Sequence, residues 1–139
     1  MPIKSGRTKS RTQALQLLFQ AEILQEELSA LLDQNIYALE EGPLDDFGKD
    51  LALGSYEHID ELDQDIARVS EKWDISRMPL VDKNILRIAL YEMKFVEDIP
   101  VNVSISEAVE IAKAYGGDES SKFINGILGK LALELSDEA

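Results

Sequence analysis

The sequence predicts an all-α protein of about six or seven helices in two small packed helical bundles, and three observations carry that expectation. Apolar residues recur at spacings of three and four along most of the 139 residues, as in helices with one buried face. No segment alternates apolar and polar residues convincingly enough for a strand. The pairs Gly42-Pro43, Met78-Pro79, Ile99-Pro100 and Gly116-Gly117 punctuate the chain at helix-length intervals. No internal period of the solenoid kind is visible.

Residues 1–9 carry Pro2, Ser5 and Gly6 without apolar periodicity. They read as a flexible basic arm ahead of a single helical domain, residues 10–139. The first helix is expected to start near Ser10 or Arg11. Ala14, Leu17, Leu18, Ala21 and Leu24 make its apolar face, with Gln16 and Phe19 off that stripe or at its edge. A second short helix carries Leu28, Leu31, Leu32, Ile36 and Leu39 and closes at Glu40-Glu41-Gly42-Pro43.

From Leu44 to about Lys72 the pattern is one long helix, or two joined at Gly54. Phe47, Leu51, Ile59, Leu62, Ile66 and Val69 are its core positions. Asp60, Glu61, Asp63, Asp65 and Glu71 fall between them and read as a solvated face. His58 lies beside the stripe as a structural or exposed residue, and Trp73 is expected to pack under the connection ending at Pro79.

Pro79 opens a central helix with Val81, Ile85, Ile88 and Ala89 inward and Phe95 at the end of that face. Leu86 and Leu90 widen the face, so this helix is expected to be buried on more than one side. Ser104-Ile105-Ser106-Glu107 reads as a capping box. The helix behind it carries Ala108, Ile111, Ala112 and Tyr115 and ends at Gly116-Gly117. Asp118 would cap the last helix, whose apolar positions are Ile124, Ile127, Leu128, Leu131 and Leu135. The two bundles would span roughly residues 10–75 and 79–135.

A chain of this length is one domain by size, and 45% hydrophobic with 29% charged residues is a globular composition. With no cysteine and one histidine, thiol metal sites, disulfides and imidazole-rich zinc sites are excluded. No apolar run reaches the ~18 residues of a membrane span and no signal peptide precedes the first helix, so a cytoplasmic protein is expected.

The net charge of −13 argues against nucleic acid until its distribution is seen. Lys4, Arg7, Lys9 and Arg11 stand in the first 21 residues without one acid, so all 27 acids lie beyond them. Such a basic end can neutralise phosphates locally, because charges beyond about 8 Å are largely screened at physiological salt.

Catalysis finds no support. A serine or cysteine triad lacks its base, no phosphate-cradling loop is present, and no pair of the many carboxylates is singled out. Cofactors are expected to be none. Binding chemistry is better represented. Asp118–Phe123 would put Ser120, Ser121, Lys122 and Phe123 in a first helical turn, offering backbone N–H groups to a phosphate and a ring to a base. Phe123 fits a core position equally well. Gly126, unfavourable in a helix by about 1 kcal/mol, suggests that another helix or a ligand backbone passes close by.

Four blocks, taken in order, resemble the NusB family of bacterial transcription antitermination factors. They are Ser10 to Phe19 (SRTQALQLLF), Asp82 to Glu92 (DKNILRIALYE), Pro100 to Lys113 (PVNVSISEAVEIAK) and Ser121 to Leu128 (SKFINGIL). Residues 22–78 match only as helical pattern. The resemblance implies two small helical bundles and no catalysis. It also implies binding of boxA, a short single-stranded RNA of ribosomal RNA leaders, together with the ribosomal protein NusE, within the elongating RNA polymerase complex. Carried over, the RNA surface would hold Lys4, Arg7, Lys9, Arg11, Gln16, Phe19, Glu119, Lys122 and Phe123, and Asp82 would face NusE. Some family members self-associate, which leaves a homodimer open.

Two departures stand out. In one, Thr8 and Ser10 interrupt the basic run and Lys9 stands where the family often has arginine, giving a point charge without a planar fork. The other is the strongly acidic body, which opposes RNA at low salt. Two other readings follow from the residues and the resemblance. One is a protein-interaction adapter whose acidic surface docks a basic partner with little RNA binding of its own. The other is a domain related to the RNA-binding part of ribosomal RNA cytosine methyltransferases.

Overall fold

The computed structural model describes residues 6–40, 42–70 and 75–138. Lys4, Glu41, Glu71 and Trp73, all used in the sequence reading, lie outside these. All regular structure among the described residues is helical: α1 (Gly6–Leu24), α2 (Leu28–Gln34), α3 (Asp46–Glu57), α4 (Ile59–Val69), one 3-10 turn (Ile75–Arg77), α5 (Leu80–Phe95) and α6 (Val101–Glu138). The expected all-α class is observed. The count near seven is reached because α6 bends at Gly117 (φ 84°, ψ −168°) into two arms. The chain forms two compact units, Met1–Glu57 and His58–Ala139.

In the first unit α1 packs mainly on α3, and α2 packs on both. Ala14, Leu17, Leu18 and Ala21 of α1, Leu28 and Leu31 of α2, and Leu51 and Ala52 of α3 are buried together as the core. The α1–α3 approach is close because residue 48 lacks a side chain. A Cβ there would lie 3.1 Å from the Ser10 carbonyl oxygen and 2.9 Å from Gln13 Oε1. Asp45 starts α3 by accepting the Gly48 N–H at 2.7 Å, and it also accepts the Ser10 hydroxyl at 2.7 Å.

Two boundaries in this unit differ from expectation. α1 begins at Gly6, ahead of the expected start at Ser10. α2 ends at Gln34, well before Leu39, because Asn35 turns left-handed (φ 56°) and the chain leaves the helix. There the Asn35 and Ile36 N–H groups close on the carbonyls of Leu32 and Leu31, a pairing that satisfies the last carbonyls of a helix. Ile36 is therefore exposed. Leu24 is exposed as well, at the end of α1 where Gln25 also has positive φ.

In the second unit α4, α5 and α6 pack on one another. The break before α4 falls at His58, not at Gly54, which stays inside α3. A glycine weakens a helix by about 1 kcal/mol but does not by itself end it. As expected, α5 is central: Ile85, Leu86, Ile88, Ala89 and Leu90 are all buried. Phe95, expected inward, is 40% exposed.

The acids of α4 are not simply a wet face. Asp60 and Glu61 are exposed, but Asp63 and Asp65 are half-buried and bonded across to α5. Arg87 donates to Asp63, and Lys94 donates to Asp65 and Glu61. Arg68 joins Asp65 to Glu134 of α6.

The capping box is also corrected. α6 begins at Val101, and the Pro100 carbonyl accepts the N–H groups of Val103 and Ser104. Ser104 is thus inside the helix and buried, where its hydroxyl donates to Glu92 Oε1 at 2.9 Å. A proline is suited to lead a helix because it has no N–H to leave unpaired.

Candidate nucleic-acid interface

The early start of α1 places Arg7, Lys9 and Arg11 on a helix, where the sequence suggested an arm ending before Ser10. Arg7 is exposed with its guanidinium 4.5 Å from the centre of the Phe47 ring. Arg11 lies 5.9 Å from the same ring but is only 4% exposed. Two cations thus share one aromatic ring, which narrows their freedom and orients Arg7 at the surface. Lys9 is half-buried beside Gly42, whose φ of 59° favours glycine; a Cβ there would lie 2.9 Å from Lys9 Nζ.

Gln16 and Phe19, expected to meet bases, are both half-buried. Gln16 belongs to a row of three glutamines, Gln13, Gln16 and Gln20, on one face of α1. Gln20 donates Nε2–H to the Ala38 carbonyl at 2.7 Å and accepts the Ala38 N–H at 2.8 Å. Gln16 Oε1 accepts the Glu40 N–H at 3.2 Å. Gln13 donates to the Pro43 carbonyl at 2.9 Å and accepts the Asp45 N–H at 3.2 Å. The row holds the connection after α2 along α1, so the Gln16 carbonyl oxygen already has a backbone partner. The spacing of the glutamines was visible in the sequence; their common partner was not.

On the second arm of α6, Glu119 and Lys122 are exposed and Phe123 is half-buried. With Gly126 they follow the i, i+3, i+4, i+7 spacing of one helix face. Nothing lies within 4 Å of a Cβ built on Gly126, so the close helix expected there is not the reason for this glycine. Asp118 enters the turn through its carbonyl, which accepts the Ser121 hydroxyl at 2.9 Å.

Asp82, the expected partner-facing acid, is 5% exposed in the first turn of α5. Its Oδ2 accepts the Ser120 hydroxyl at 3.2 Å. Burial pushes this carboxyl above its usual range, against the smaller opposite effect of that hydrogen bond. His58 stacks on Phe95 with centroids 4.3 Å apart, and its Nδ1 lies 3.9 Å from Glu61.

Among the described residues no group of acids or histidines could hold a metal ion, and no helix is long and apolar enough to cross a membrane. The NusB family model matches residues 8–133. This chain belongs to the NusB family. Among the family's proteins, the transcription antitermination protein NusB of Desulforamulus reducens is 44% identical over 135 residues, covering 96% of this chain and 94% of that protein. T. maritima NusB has the same fold with a TM-score of 0.80 at 38% identity, over 95% of this chain and 94% of that one. A chain in a crystal structure of the antitermination factors NusB and NusE with double-stranded RNA matches with a TM-score of 0.76 at 22% identity. It covers 95% of this chain and 99% of that one, and at that identity the likeness concerns the fold.

Proposed function

We propose that this NusB-family chain is a transcription antitermination factor. In this reading it binds boxA-type single-stranded RNA of ribosomal RNA leaders together with NusE, and it joins the elongating RNA polymerase in the cytoplasm. The supporting observation is the acid-free run of cations on α1, with Arg7 presented at the surface of an otherwise acidic chain. Arg7 and Lys9 supply phosphate attraction, and Arg11, largely buried, contributes through its hold on Phe47. On α6, Lys122 offers a further phosphate contact and Phe123 a ring for an unstacked base. Gly126 adds a stretch of bare backbone on that face, open to a ligand. For the NusE side, Asp82 is too buried to be a broad contact, so the neighbouring exposed residues of that surface carry the docking.

The test is a titration with boxA-like and scrambled RNA, with and without NusE. Arg7, Lys9 and Lys122 together predict that log K falls with log salt with a slope of about −2. Alanine at each should weaken both RNAs, and Phe123→Ala should cost boxA more. Truncating residues 1–11 is a poor test, because it removes Ser10 from Asp45 and more than the first turn of α1. The adapter reading is favoured by the half-burial of Gln16 and the near-complete burial of Arg11. It would be upheld if nuclease treatment left NusE capture unchanged and no RNA crosslink formed.

A further inference from the structure

The bend in α6 raises a question that the RNA reading does not answer. Gly117 has φ 84°, a region open in practice only to glycine, so the bend is written into the chain. A pair of glycines permits a bend without choosing its angle. Burial of Ile124, Ile127, Leu128 and Leu131 holds the second arm in the core, but apolar packing is non-directional, and the first turn, which bears Glu119, Lys122 and Phe123, needs a directional contact to fix it.

The contacts around Asp82 meet that need. This carboxylate comes from α5, bonds the far side of the bend and lies beside the near side. Its Oδ2 accepts the Ser120 hydroxyl at 3.2 Å, on the far side. Its Oδ1 lies 3.6 Å from where a Cβ of residue 116 would be, on the near side. Residue 116 itself must be glycine for this to close. A Cβ there would overlap the Ser120 hydroxyl and sit 2.7 Å from Ser120 Cβ. Burying a carboxylate is costly, and a buried polar pair is retained best where it selects one arrangement over others.

We propose that Asp82 and Ser120 form a latch across Gly116-Gly117 that sets the direction of the second arm of α6 and thereby positions Glu119, Lys122 and Phe123. The three are positioned by the latch and belong to the ligand face; Asp82, Ser120 and Gly116 act through them. The positioning role rests on the RNA reading given above, whereas the latch itself does not.

Because the chain has no cysteine, Glu110→Cys and Leu133→Cys can carry spin labels on the two arms, both at exposed sites. Electron-spin distance measurements on the whole chain then read the bend directly. Asp82→Ala and Ser120→Ala should broaden the distance distribution, while Asp82→Asn and Ser120→Thr, which keep an acceptor and a hydroxyl, should keep it narrow. Affinity for boxA-like RNA should fall roughly tenfold in the alanine variants and stay near the starting value in the conservative ones. Should Asp82→Ala fail to fold, Ser120→Ala carries the test, since Ser120 is only half-buried. An unchanged, narrow distribution in folded Ser120→Ala overturns the latch. Broadening in a protein that binds no RNA upholds the latch and overturns the RNA reading.

Discussion

Arg87 of α5 grips both oxygens of Asp63 on α4, through Nε at 2.7 Å and Nη2 at 2.8 Å. Its remaining nitrogen, Nη1, donates to Asn84 Oδ1 at 3.0 Å. The guanidinium is thus planar-matched to a carboxylate on one side and to an amide on the other, among the buried residues of α5. Only 4% of Arg87 is exposed.

Removing one partner of such a pair leaves the other desolvated without its opposite charge. Asp63→Ala strands a buried cation and should lower unfolding stability by roughly 3 kcal/mol. Arg87→Ala leaves a carboxylate that still reaches some water and should cost about 2 kcal/mol, including lost packing. Arg87→Lys keeps the charge but not the fork and should fall between wild type and Arg87→Ala. Urea denaturation at neutral pH decides; a loss within experimental scatter for Asp63→Ala would show that the pair contributes nothing.

The connection after α2 is tied to α1 by side chains. Gln20 makes two hydrogen bonds to Ala38 and Gln16 makes one to Glu40, all at the surface. Gln20→Ala should therefore free the connection locally, at a cost of about 1–2 kcal/mol for two bonds. Amide exchange at Ala38 should speed up strongly, and core amides of α1 and α3 should change far less. Gln16→Ala should release Glu40 and leave Ala38 protected. Equal exchange at Ala38 in all three proteins would rule out the glutamine row as the tether.

Glycines with opposite surroundings predict opposite outcomes. At residue 48 a methyl group would press on the Ser10 backbone and Gln13, so Gly48→Ala should destabilise by about 1–3 kcal/mol. At residue 126 the space is open and the helix geometry ordinary, so Gly126→Ala should stabilise by about 1 kcal/mol. If RNA backbone runs over that face, the same substitution should weaken RNA binding while raising the melting temperature. A Gly126→Ala protein that is more stable and binds RNA unchanged would remove residue 126 from the ligand face.

These contacts also show what the sequence could and could not reveal. The apolar rows of α1, α4 and α5 were legible because helical period and burial follow from residue type at fixed spacing. Leu86 and Leu90 correctly marked α5 as buried on several sides. Pairings across helices were not legible: nothing in the spacing of Asp63 and Asp65 says that Arg87 and Lys94 will reach them. Caps failed for a related reason. Ser104 and Glu107 have the right spacing for a capping box, yet Pro100 starts the helix earlier and Glu92 claims the Ser104 hydroxyl. Of the candidate site, the cations on α1 were legible from charge alone, whereas the burial of Arg11, the engagement of Gln16 and the latch role of Asp82 depend on partners far away in sequence.

Asp65 and Asp82 should respond to acid in opposite ways. Burial works to raise the Asp65 carboxyl, but hydrogen bonds from Lys94 and Arg68 outweigh it and hold the group below its usual range. The native state therefore gives up this proton more readily than the unfolded chain. Its stabilisation is complete above the unfolded value near 3.9 and is lost as pH falls through the lower native value. For Asp82 burial dominates and the native carboxyl is raised, so the native state binds the proton more tightly. Its contribution is most favourable in acid and diminishes as pH climbs from about 3.9 through the raised native value. Asp65→Asn should flatten the acid limb of a stability curve, with the gap from wild type closing as pH falls below the unfolded value of about 3.9. Asp82→Asn should gain on wild type as pH climbs above the unfolded value of about 3.9. Urea midpoints on both sides of that value separate the two, and curves parallel to wild type for both variants would mean that neither carboxylate is coupled to folding.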